Sequence, residues 1–160
     1  MRLTAFTDYS LRVLMYLAAR PAQQSTIVAI ATAFAIKENH LTKVVHFLGK
    51  AGWIVTTRGK GGGMRLARAP QDIVVGEVIR QTEGGDLPAE CFSESGGNCC
   101  ISPVCKLAGA LQEAVDAFYA VLDGYTLEDV ARNRDVLARL LVIPMPTRGS
   151  GRKQAGHTTH

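Results

Sequence analysis

The stretch "WIVTTRGKGGGMRLA", residues 53–67, constrains the fold of this chain more than any other. Trp53 and Val55 alternate with Ile54 and Thr56 in the period-two manner of a strand, and "MRLA" alternates again beyond a run of glycines. Glycines permit the tight reversal that joins two antiparallel strands, so the stretch predicts a hairpin. Amphipathic helical segments lead up to it. "TDYSLRVLMYLAAR" places Leu11, Leu14, Met15 and Ala18 at i, i+3, i+4 and i+7, with Thr7 or Asp8 as N-terminal acceptor and Pro21 past its end. "STIVAIATAF" opens with Ser25 as the N-cap of a short second helix. After a break around Ala35–Lys37, "ENHLTKVVHFLGKAG" carries Leu41, Val44, Val45 and Leu48 as a buried stripe, with Gly49 and Gly52 closing the end. Helix, short helix, turn, helix and basic hairpin compose a winged helix-turn-helix, mainly α with a small β wing.

A fourth helix near Val75–Thr82 packs beneath this unit, and "EGGDLPAE" is a turn-rich exit from it. Farther on, Val104, Leu107, Leu111, Ala114, Phe118, Val121 and Tyr125 alternate steps of three and four, while Gln112, Glu113 and Asp116 fall outside that seam. Such a seam predicts a long dimerisation helix paired with a second copy of the chain. The organisation is then a DNA-binding domain over 1–82, a cysteine-rich loop over 83–105, a dimerisation helix and C-terminal helix over 106–142, and a disordered tail over 143–160.

Charge is divided along the same lines. Residues 1–82 hold eleven Lys/Arg against four Asp/Glu, whereas residues 83–142 hold four against ten. A basic first half is the electrostatic footprint of a phosphate-binding surface. On the third helix, Glu38, Asn39, His40, Thr42 and Lys43 form the exposed face, able to reach base edges or phosphates. Arg58, Lys60 and Arg65 bracket the wing glycines, where arginine suits a narrow minor groove. Double-stranded operator DNA is the implied partner. His46, on the same helix, reads as packed or solvated, and the H-x-x-H of His157 and His160 as incidental.

All four cysteines lie in "CFSESGGNCCISPVC", residues 91–105. The longest apolar run, "IVAIATAFAI", is too short to span a bilayer, and Arg2, Asp8 and Arg12 interrupt any leader-like stretch. A cytoplasmic location follows, with no membrane partner, and thiols there stay reduced. The spacing C-x7-C-C-x4-C lacks the paired knuckles of structural zinc. Neighbouring side chains point apart, so the residues favour Cys91, Cys105 and one of Cys99 and Cys100 as ligands. An Fe–S cluster, zinc and free redox thiols all stay open on spacing alone, and a four-coordinate site still lacks a ligand. Asp8, read by itself, is a first-turn carboxylate favoured by the helix dipole.

The opening "MRLTAFTDYSLRVLMYLA", then "NHLTKVVHFLGKAGWIVTTRGKGGGMRL", "VGEVIRQTEG" and "CISPVCKL" together resemble the Rrf family of bacterial winged-helix regulators, over residues 1–142. Within it, the resemblance is to its nitric-oxide-sensing Fe–S repressors. It implies a homodimer with crossed long helices and a cluster in each cysteine loop, 4Fe–4S with 2Fe–2S as the alternative. It selects Cys91, Cys99 and Cys105 as ligands, with Cys100 as the alternative to Cys99. The family's ligating aspartate falls on Asp8, which would serve from the partner subunit. Nitric oxide is the implied signal. Rival readings are an iron-, Fe–S- or redox-sensing member of the family and a zinc-stabilised DNA-binding protein. No nucleotide loop, catalytic triad or substrate motif supports an enzyme.

Overall fold

In the computed structural model, which describes residues 2–21, 23–59, 61–84, 100–101 and 104–141, the first helix, α1, spans Ala5–Ala18. Its N-cap is Thr4 rather than Thr7 or Asp8: the Thr4 hydroxyl accepts from the Thr7 N–H at 3.2 Å. Thr4 is held there from a distance, since its N–H and hydroxyl donate to Glu83 Oε1 at 2.9 and 3.1 Å. Helix α2 spans Ile27–Phe34, and its N-cap is Thr26, not Ser25. Ser25 exchanges both backbone hydrogen bonds with Met64, at 3.0 and 2.8 Å, and so adds a one-residue strand to the wing. Ala35, at φ 52°, ends α2 in the left-handed conformation.

Helix α3 spans Glu38–Lys50 and buries the stripe Leu41, Val44, Val45 and Leu48 against α1 and α2. Gly49 lies within the helix, and the chain turns at Gly52, whose φ is 77°. Strands β1 (Ile54–Thr57) and β2 (Gly63–Leu66) pair antiparallel, Ile54 opposite Leu66 and Thr57 opposite Gly63. The predicted alternation is not followed along β1, whose Val55, Thr56 and Thr57 are all exposed. Trp53 precedes β1 and is buried together with Ile54, while Val55 is exposed. The cause is that Trp53 still belongs to the turn leaving α3. Its N–H donates to the Leu48 carbonyl at 2.9 Å, its indole N–H to Gln81 Oε1 at 3.2 Å, and Arg68 lies over its ring at 4.6 Å.

A 3-10 turn at Pro70–Asp72 leads to α4 (Val75–Glu83). Beyond the cysteine region come α5 (Lys106–Asp123), α6 (Leu127–Val130) and α7 (Arg134–Leu140). The chain returns after α5 to the winged-helix core. Leu127 and Ala131 pack into the cluster built by Leu14, Leu17, Leu41, Leu48, Trp53 and Val78. Backbone bonds from Val75 N–H to the Tyr125 carbonyl (2.9 Å) and from Leu127 N–H to the Ile73 carbonyl (2.8 Å) secure it. A capping box starts α6: the Thr126 hydroxyl accepts from the Asp129 N–H while the Asp129 carboxylate accepts from Thr126, which holds that carboxyl below its ordinary pKa.

Helix α5 buries none of its residues. It is gripped near its carboxyl end, where the Arg80 guanidinium forks onto both Asp123 oxygens at 2.7 and 2.6 Å and lies 4.4 Å from the Tyr119 ring centroid. Gly76 permits the approach, because a Cβ there would press against the Asp123 carboxylate carbon at 3.0 Å. No helix among the described residues is long and apolar enough to cross a membrane.

Candidate nucleic-acid interface and thiol site

The pattern that buries one side of α3 leaves Glu38, Asn39, His40, Thr42 and Lys43 exposed on the other. The Thr42 hydroxyl donates back to the Glu38 carbonyl at 2.9 Å. His40 is not free of the scaffold: its ring stacks on Tyr9 of α1, with centroids 6.0 Å apart and planes 18° off parallel. A second aromatic pair, Phe6 and Phe47, joins the same helices edge to face at 5.3 Å. The start of α1 therefore positions the exposed face of α3 directly.

Arg58 leaves the end of β1 and Arg65 stands on β2, both exposed, with Arg65 Nη1 donating to the Leu66 carbonyl at 3.4 Å. Gly59 and Gly61 take φ values of 100° and 80°, which other residues reach only with strain. A Cβ at Gly62 would meet the Gly59 carbonyl oxygen at 2.8 Å. Gly59, Gly61 and Gly62 thus leave backbone uncovered at the wing tip, with Arg58 and Arg65 exposed on its strands. Lys60 lies outside the described residues.

Of the thiol site, Cys91 and Cys99 also lie outside the described residues. Cys100 is exposed and free, and Cys105, half-buried and free, is the N-cap residue of α5. Among the described residues no side chain caps that helix end; its first turn holds no acidic residue, and Lys106 follows directly. A thiol at a helix N-terminus, followed by a lysine, is a donor type that suits a thiolate-bound metal or cluster. Asp8 lies on α1 with its carboxylate on Arg12, at 3.0 Å to Nε and 2.8 Å to Nη2, both side chains more than two-fifths exposed. Among the described residues no three His, Cys, Asp or Glu side chains converge as a metal site.

The fold is a winged helix with arginines on its wing and a thiol at the start of an exposed helix. The sequence profile of the Rrf2 family, described as iron-dependent transcriptional regulators, matches residues 3–133. The chain belongs to the Rrf2 family. Its relatives include the HTH-type transcriptional regulator NsrR of Bacillus subtilis, 50% identical over 142 residues that cover 88% of this chain and 97% of that protein. NsrR of Halalkalibacterium halodurans is 48% identical over 144 residues, 89% of this chain and 99% of that protein. Among solved structures, CymR of B. subtilis, described as the global cysteine regulator, superposes with a TM-score of 0.64 at 28% identity, covering 83% of this chain and 98% of CymR. IscR of T. potens matches at a TM-score of 0.66 and 24% identity, covering 83% of this chain and 88% of IscR, which speaks for the fold alone.

As an Rrf2 protein the chain is a DNA-binding transcriptional regulator, and its winged helix matches that role. Sequence reasoning missed two features of the site. The Asp8–Arg12 pair was readable, since an acid four residues before a base on a helix brings the two together. His46 proves solvated rather than packed, and its place beside the wing was not legible, because it depends on where the hairpin folds back.

Proposed function

We propose that this Rrf2 protein is a homodimeric, cytoplasmic repressor that holds an Fe–S cluster on Cys91, Cys99 and Cys105 with Asp8 of the partner subunit, and leaves its operator when nitric oxide is present. The observation that carries the reading is Cys105 at the amino end of α5, the helix whose apolar side chains lie open among the described residues. Val104, Leu107 and Val121 are 80%, 66% and 62% exposed, an arrangement that a second copy would cover. The resemblance to NsrR proteins supports the choice of signal. When bound, the cluster supplies iron at which nitric oxide reacts.

The chain's own residues do the rest. The Asp8–Arg12 pair is exposed and worth only about 0.3–0.5 kcal/mol, so Asp8 is readily drawn away to act as a ligand. A pull on Asp8 is a pull on α1, which grips α3 through Phe6–Phe47 and Tyr9–His40. Ligation is thereby coupled to the pose of the reading face, and the two are linked reciprocally. A tenfold change in operator affinity needs only about 1.4 kcal/mol of such coupling.

Anaerobically purified protein tests this directly. Cys91→Ala, Cys99→Ala and Cys105→Ala should each abolish the visible chromophore, and Cys100→Ala should keep it. In a nitric oxide titration, operator binding should fall in step with cluster absorbance. The family's description as iron-dependent favours a second reading, a sensor of iron or Fe–S supply. It takes over if nitric oxide consumes the absorbance and operator affinity stays constant.

A further inference from the structure

Glu83 stands at the unfavourable end of its own helix. It is the last residue of α4, where the final carbonyls carry partial negative charge and disfavour a carboxylate. The charge is answered from another helix. Glu83 Oε1 accepts from both the Thr4 N–H and the Thr4 hydroxyl, at 2.9 and 3.1 Å, across 79 residues of chain. That is the amino end of α1, whose N–H groups favour an anion. A residue that opposes its own helix and fits a distant one marks a place where local stability has yielded to another task.

Behind Thr4 stands Asp8. Thr4 is the N-cap, so the first backbone bond of α1 runs to its carbonyl, from the Asp8 N–H at 3.0 Å. Thr7 is fully buried, and its hydroxyl lies 3.0 Å from that of Thr4, so the turn is held from inside as well. The clasp therefore fixes Asp8 by its backbone. It leaves the carboxylate, here on Arg12, free to turn elsewhere. We propose that Glu83 is a positioning residue for Asp8: through Thr4 it sets where the Asp8 carboxylate can reach. The inference rests on the ligation by Asp8 proposed above. A frayed first turn spreads a carboxylate over many positions, whereas one held in place loses less entropy on binding.

The test compares Glu83→Leu, which removes the acceptor, with Glu83→Gln, which keeps an oxygen for Thr4. In the cluster-free protein, amide hydrogen exchange at Asp8 should speed up by about tenfold in Glu83→Leu, the effect of one lost hydrogen bond to a charged group, and stay at the wild-type rate in Glu83→Gln. Amides of Leu41 and Val44 in α3 should be unchanged in both, which separates a released turn from a damaged fold. In the cluster-loaded protein, Glu83→Leu should keep the visible chromophore, because the thiols are untouched, and yield iron to a ferrous chelator about tenfold faster. Asp8→Ala should do the same, and the double variant should be no faster than Asp8→Ala alone, since both act through one group. Wild-type iron release in Glu83→Leu beside fast release in Asp8→Ala overturns the inference and spares the ligation reading. A double variant faster than either single also overturns it, by giving Glu83 an effect of its own. Unchanged exchange at Asp8 in Glu83→Leu does so too, because the clasp then holds nothing. Wild-type release in Asp8→Ala sinks the ligation reading instead, and leaves Glu83 no ligand to position.

Discussion

Helices α3 and α5 carry the same kind of apolar stripe and meet opposite fates. In α3, Leu41 and Leu48 are 0% exposed and Val44 is 1% exposed. In α5, Leu107 and Val121 are 66% and 62% exposed, although their spacing is as regular. Periodicity tells which side of a helix seeks cover and nothing about who supplies it. For α3 the cover is α1 and α2 of the same chain. For α5, the main contact among the described residues is with α4, which takes the carboxyl end through Arg80. The first helix specifies a domain, the second a surface.

The largest effect should come from breaking that surface. Leu107→Asp removes about 2 kcal/mol of apolar burial per copy, and a two-fold interface counts each substitution twice. Sedimentation equilibrium should therefore show the dimer weakened by about a thousandfold, with each subunit still folded. An unchanged association state would mean that α5 is not the interface. Leu41→Ala should do the reverse. It leaves association intact and lowers unfolding stability by about 3 kcal/mol, read by denaturant titration, because a cavity opens in a closed core.

The smallest effect belongs to the join between the two regions. The Arg80 fork holds the Asp123 carboxyl below its ordinary pKa. The stabilisation is therefore complete above the unfolded-state value of about 3.9 and is lost as pH falls through the lower, folded-state value. Asp123→Asn should flatten the acid limb of the stability curve measured below about pH 4, and leave the neutral region nearly level.

What could be read from the chain follows the same division between local and distant causes. The α3 stripe, the break at Ala35, the hairpin and α4 were legible because periodicity and glycine placement are local. The caps were not. Ser25 and Thr26 offer the same hydroxyl, and the choice falls to Thr26 because Ser25 is paired with Met64, nearly forty residues on. Thr4 displaces Thr7 and Asp8 because Glu83 anchors it from the end of α4. Trp53 broke the alternation for a similar reason, its indole being fastened to Gln81. The return of Leu127 and Ala131 into the core left no local mark either. At the site, the exposed face of α3 and the arginines of the wing were legible, and His40 was legible as exposed but not as Tyr9's stacking partner. Cys91, Cys99 and Lys60 fall outside the described residues.

The attachment of α5 near its carboxyl end, the grip seen among the described residues, has a mechanical consequence. A helix of 18 residues is a rod about 27 Å long, and this one is fixed at Tyr119 and Asp123 with Cys105 at its far end. It is a cantilever. A sideways displacement of about 2 Å at the cysteine end corresponds to a tilt of about 4° at the fixed end, given a rise of 1.5 Å per residue. The Arg80 fork is bidentate and short, so it resists slippage and passes the torque to α4, which lies against α1. A movement of Cys105 would thereby reach α1 through α4, the helix to which the fork ties it.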